Sequence, residues 1–128
     1  MKMTTVPMSR VARRARAATG GDCYEANGRL FMEEALFPGS KTGMVLVHGE
    51  VTGQGPLEGV KYGHCWIEEG GTVIDVSNGR NIKMPKKVYY ALGRIGDNLH
   101  RYKPEQVRKK ILTSKHWGPW DLQTSTGL

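Results

Sequence analysis

The apolar positions of this 128-residue chain fall into short groups with different periods. Cys23, Ala26 and Leu30 recur on one helical face, with Asn27 and Phe31 beside them. Asp22 supplies an N-cap and Phe37-Pro38-Gly39 a stop, so the pattern predicts a helix from Cys23 to about Leu36. Gly28 inside that run works against it. Met44–Val51 is rich in β-formers and reads as a buried strand, and Gly53–Gly59 is a loop by composition. Tyr62–Glu68 and Thr72–Ser77 alternate around Glu69-Gly70-Gly71 and predict a hairpin. A Gly/Asn/Lys-rich connection follows from Asn78 to Lys83, then a further strand near Val88-Tyr89-Tyr90-Ala91-Leu92. Pro104 at a helix N1 position, with Glu105 behind it, opens a last helix through about Thr113 with Val107, Ile111 and Leu112 toward the core. The segment Trp117-Gly118-Pro119-Trp120-Asp121 has only its aromatics to order it. Helix, strands, helix is an α+β order: an N-terminal helix packed on an antiparallel sheet, with a C-terminal helix.

The hairpin fixes which side chains share a face. If Gly70-Gly71 form a two-residue turn, Glu69 pairs with Thr72, Trp66 faces Asp75 and His64 faces Ser77. Strand alternation then puts His64, Trp66, Glu68, Val73, Asp75 and Ser77 on one face and Cys65, Ile67, Ile74 and Val76 on the other. The second set is apolar and makes a core face. The first is the more polar set, and in it His64 and Asp75 are diagonal neighbours within reach of each other. A three-residue loop would separate them.

Length allows one domain, taken as residues 20–128, and no apolar run approaches a membrane span. Five of the nineteen basic side chains fall in residues 1–19, which hold no acid; the other fourteen face twelve acids. The formal charge of +7 therefore belongs mainly to an N-terminal basic arm. Such an arm reads as a flexible tail with scope for polyanion contact. Val11–Ala18 within it has the pattern of a short, fraying basic helix. Arg13-Arg14 lacks the apolar segment of a secretory signal, and two cysteines make no disulfide framework, so the expected compartment is the cytoplasm.

The chemistry rests on Cys23, His64 and Asp75 in chain order. A cysteine in the first turn of a helix meets unpaired N–H groups and the positive end of the helix dipole, both of which favour thiolate. His64 can pair with that thiolate and later give its proton to a leaving amine, while Asp75 fixes the imidazole tautomer. Gly20 and Gly21 allow close backbone approach, and the Cys23 N–H is a natural oxyanion donor. An aspartate between Ile74 and Val76 has little other reason to stand in a strand. Cys65 reads as core, and His48, His100 and His116 as outside the set.

These residues resemble the papain/transglutaminase-like cysteine hydrolase superfamily, in particular its small phage and bacterial members. Cys23 opens a helix, Gly63-His64-Cys65-Trp66 matches a Gly-His-x-Trp strand, Ile74-Asp75 follows, and Gly118-Pro119-Trp120 closes the pattern from Gly20 to Trp120. The resemblance implies amide or isopeptide hydrolysis, or acyl transfer, on a peptide or protein substrate, with no cofactor. The chain departs from the family in lacking a glutamine, or the transglutaminase-type tryptophan, upstream of the cysteine. Two other readings compete. Cys23, His48, His64 and Cys65 are possible zinc ligands, though without C-x-x-C or H-x-x-x-H spacing. The basic arm with Tyr89, Tyr90, Trp117 and Trp120 as stacking surfaces suits a nucleic-acid-binding module.

Overall fold

The computed structural model describes residues 22–36 and 43–126; the basic arm of residues 1–19, Gly20-Gly21 and Phe37-Pro38-Gly39 lie outside the described residues. The elements are α1 (Cys23–Leu36), β1 (Val45–Thr52), β2 (Lys61–Glu69), β3 (Thr72–Asp75), β4 (Ile82–Pro85), α2 (Lys86–Gly93), β5 (Leu99–Tyr102) and α3 (Pro104–Ser114). The fold is α+β, and among the described residues five strands run in the order β4-β3-β2-β1-β5 with every pairing antiparallel.

The β2–β3 hairpin has the register its turn predicts: Glu69 pairs with Thr72, Glu68 with Val73 and Ile67 with Ile74, with Gly70 in the left-handed region at φ 61°. The ladder then stops, short of the pairing to Ser77 that strict alternation implies. Asp75 ends β3, and the chain turns through Val76 into a 3-10 turn at Ser77–Gly79.

Both faces of the sheet are covered, so the face read as polar is a second core. On one side α1 and α3 pack Phe31 and Val107 against Leu46, Cys65, Ile67 and Tyr102. On the other, Val47, Val51, Trp66 and Val73 meet Tyr89, Tyr90, Ile95 and Leu99. Glu68 sits in that second layer at 3 % exposure. It accepts from Trp66 Nε1 (3.0 Å), Arg101 Nε (3.0 Å) and the Tyr90 hydroxyl, which together satisfy a carboxylate that burial would otherwise penalise.

Residues 88–92 form part of helix α2, and the strand expected there is overturned. Tyr89 and Tyr90 are adjacent, yet both hydroxyls reach carboxylates on the same sheet face, Asp75 and Glu68. A strand would send them to opposite faces; one broad side of a helix serves both. Val88 and Leu92 are the exposed positions of that helix, at 45 % and 50 %. The expected connection over 78–83 contains the start of β4, and β5 is a further strand that the apolar pattern misses. In α3, Gln106 caps the Lys103 N–H as Pro104 enters the helix, and Val107 is buried. Leu112 points to solvent at 62 % exposure, correcting its expected core role. Gly28 has a packing reason: a Cβ there would come within 2.7 Å of the Trp117 ring.

Candidate active site

The first turn of α1 brings Cys23 to β2. Asp22 caps the helix, its Oδ1 accepting from the Glu25 N–H at 3.0 Å, as the sequence predicts. The Cys23 N–H, in that first turn, has no carbonyl partner within the helix. Cys23 is 4 % exposed and packs beside Cys65 on the α1 side of the sheet, whereas His64 belongs to the opposite side. The early end of the β2–β3 ladder leaves a break between the two sides.

Asn27, one helical turn after Cys23, fills that break. Its Nδ2 donates to the Cys65 carbonyl (3.0 Å), the Cys23 carbonyl (3.2 Å) and Asp75 Oδ1 (3.1 Å). Its Oδ1 accepts from the Val76 N–H at 3.0 Å. The Asn27 amide thus stands where a ladder rung between Cys65 and Val76 would be, and ties the helix carrying Cys23 to the acid. Sequence reading places Asn27 beside the apolar face and no more. The available signal is an amide one turn after the cysteine, on a buried face where an unpaired amide would be costly.

Asp75 is fully buried and accepts five hydrogen bonds. Oδ2 takes His64 Nε2 (2.9 Å) and the Tyr89 hydroxyl (2.7 Å). Oδ1 takes Asn27 Nδ2, the Ser77 N–H (2.9 Å) and the Ser77 hydroxyl (2.8 Å). Burial opposes its ionisation, but the His64 charge and these donors outweigh burial and hold the carboxyl well below its ordinary range. Since an ionised carboxylate only accepts, His64 Nε2 carries the proton and Nδ1 is the ring nitrogen that Asp75 does not engage. Burial disfavours a charged His64, yet the Cys23 and Asp75 charges raise its pKa well above 6.5. The ring is flanked by Tyr62 and Trp66, with centroids 6.1 and 6.2 Å away.

The other ionisable residues have separate places. Cys23 and Cys65 are free thiols. Burial first, then the charge on Cys23, pushes the Cys65 thiol up, so it stays protonated. His48 is buried between the rings of Tyr24, Tyr102 and Trp120, and burial lowers its pKa to about 3. Neither His48 nitrogen has a hydrogen-bond partner. Among the described residues no three His, Cys, Asp or Glu side chains are placed to share a metal ion. The aromatics considered as stacking surfaces are engaged internally: Tyr89 and Tyr90 with carboxylates, Trp120 with His48 and Tyr102, and Trp117 with Arg29.

No protein family, curated protein or solved structure matches this chain. Among the described residues no helix is long and apolar enough to cross a membrane.

The site sets a pH dependence of stability with opposite signs at its two ends. Asp75 is depressed on folding, so its contribution is complete above its unfolded value of about 3.9 and is lost as pH falls through the folded value. His64 is raised, so its contribution is complete below about 6.5 and is lost as pH rises through the folded value. Thermal unfolding followed by circular dichroism should show the midpoint falling below about pH 4, as Asp75 and the similarly depressed Glu68 protonate. Asp75→Asn should flatten the acid limb; an unchanged acid limb would contradict the role given to Asp75.

Proposed function

We propose that this protein is a cysteine-dependent acyl-transfer enzyme of papain/transglutaminase-like type, hydrolysing an amide or isopeptide bond or passing the acyl group to an amine. The observation that carries this reading is an imidazole hydrogen-bonded at 2.9 Å to a buried, ionised carboxylate, with the charge on a helix-start cysteine among the causes that raise its pKa. A neutral core histidine requires neither neighbour, and His48 shows what such a residue looks like in this same protein.

In the reaction, the Cys23 thiolate attacks the carbonyl carbon and the oxyanion forms beside the Cys23 N–H. The C–N bond then breaks, His64 gives its proton to the departing amine, and a thioester remains on Cys23. Water or a second amine loses a proton to His64 as it attacks the thioester, which releases the acyl group and restores the thiolate. Asp75 holds the imidazole through Nε2 and supports its positive form; it stays ionised throughout. Asn27, Ser77 and Tyr89 are positioning residues that act through Asp75.

p-Nitrophenyl acetate tests the reading without knowledge of the natural substrate. The expected result is a burst of p-nitrophenolate stoichiometric with protein and an acetyl group located by peptide mass mapping on Cys23. No burst, or acetylation confined to lysines or Cys65, would overturn it. Cys65→Ser should do the reverse of a nucleophile change: stability falls by about 1–3 kcal/mol through an added buried hydroxyl, measured by urea unfolding, while the burst is retained.

A further inference from the structure

His64 also lines a cleft of about 250 Å³ on the α2 side of the sheet, away from the Cys23 helix. Its walls mix polar side chains with apolar and aromatic ones that include Tyr62, Ile82, Met84 and Tyr89. None of the lining residues is an acid, and besides His64 the one charged side chain is Arg80. No described carboxylate pairs with Arg80. This differs from the cations Arg101 and Lys86, which the buried Glu68 engages on the same side of the sheet.

The placement of Arg80 follows from the turn that makes the site. After Asp75 the chain passes through Ser77–Gly79, where Gly79 takes φ 74°, and returns to extended backbone at Arg80 with φ −82° and ψ 162°. The Arg80 N–H closes the turn on the Ser77 carbonyl at 2.9 Å. Ile82 then pairs with Asp75 and Met84 with Val73, so alternation puts Arg80, Ile82 and Met84 on the face that carries Asp75 and His64. One short turn therefore presents both the acid behind the imidazole and a guanidinium, unpaired among the described residues, at the mouth of the cleft.

We infer that this cleft is a substrate subsite that accepts a single residue with an apolar body and a carboxylate, paired by Arg80. The inference rests on the acyl-transfer reading above, in which His64, a lining residue of the cleft, serves Cys23. Asp75 offsets the charge of His64, so Arg80 is the lining cation left to attract an anion, and a planar guanidinium fits a carboxylate through two parallel hydrogen bonds. The volume is below the usual range of about 300–1,000 Å³ for ligand pockets, which suits one residue of a substrate. The carboxylate can be a chain-terminal one or an acidic side chain.

Bromoacetyl reagents test this, since the Cys23 sulfur displaces bromide from them without any further catalysis. Bromoacetyl-leucine and bromoacetyl-leucinamide differ only in the terminal carboxylate, and bromoacetyl-glutamic acid α-amide carries the charge on a side chain instead. The native protein should react at Cys23 about three- to tenfold faster with one of the two acids than with leucinamide, and which acid leads tells the two sources apart. Arg80→Gln should collapse that ratio toward the residual preference due to His64, and Arg80→Lys should restore part of it. Lys109→Gln, which removes the same charge from a helix on the other side of the sheet, should leave the ratio in place. An unchanged acid preference in Arg80→Gln, or no preference in the native protein, would overturn the subsite while leaving Cys23 reactive. Absence of any labelling at Cys23 would remove the acyl-transfer reading and the subsite with it.

Discussion

Cys23→Ser should lower acyl transfer by about a thousandfold or more while the unfolding midpoint stays close to native. A serine hydroxyl is similar in size to the thiol but remains protonated at neutral pH, and the geometry offers no stronger base than His64 to remove its proton. Cys23 is 4 % exposed, so the change adds a polar group to a nearly closed site, and under the proposed function the imidazole of His64 is there to receive it. The stability cost should therefore stay within about 1 kcal/mol. Burst kinetics with p-nitrophenyl acetate and thermal unfolding give the two numbers. Loss of folding would mean that Cys23 is a packing residue, and an unchanged burst would mean that another group is the nucleophile.

Asn27→Leu should destabilise the protein by about 3–5 kcal/mol and slow acetylation of Cys23 in the fraction that stays folded. Leucine is of similar size and apolar, so the loss comes from hydrogen bonding rather than volume. The Cys65 carbonyl, the Val76 N–H and Asp75 Oδ1 would each lose a partner at a fully buried position. The first two sit at the break in the β2–β3 ladder, where no other strand can replace the amide. The rate falls because Asp75 would be held only by Ser77, Tyr89 and His64. Urea unfolding measures the stability change; a loss below about 1 kcal/mol would show that the break in the sheet is supported in another way.

What was legible in the sequence was what depends on neighbours in the chain. The β2–β3 register follows from a two-residue turn and a period of two, and it carried the pairing of His64 with Asp75. The helix start at Cys23 follows from Asp22. Tertiary contacts decided the rest. Val88-Tyr89-Tyr90 has strand-forming residues, but two carboxylates on one sheet face required a helix. Strands β4 and β5 are four residues each and lie at the sheet edges, with Pro85 in one and Arg101 in the other, so neither has a strong apolar alternation. Asn27 and Arg80 take their significance from a gap in a ladder and from a cleft, and local patterning reports neither. Alternation marked the His64 face as polar because it holds histidine and acids; each of those groups is satisfied by hydrogen bonds from α1, α2, β5 or the turn after β3.

The central claim is that His64 is an imidazolium held between Cys23 and Asp75. The ¹⁵N shifts of the His64 ring, recorded against pH in the native protein and in Cys23→Ser, test it directly. Both ring nitrogens should remain protonated to well above about pH 6.5 in the native protein, and the serine variant should lose that proton at lower pH because one of the two groups favouring the charge is gone. A native His64 that is neutral at about pH 7, or one whose titration is the same in both proteins, would contradict the account.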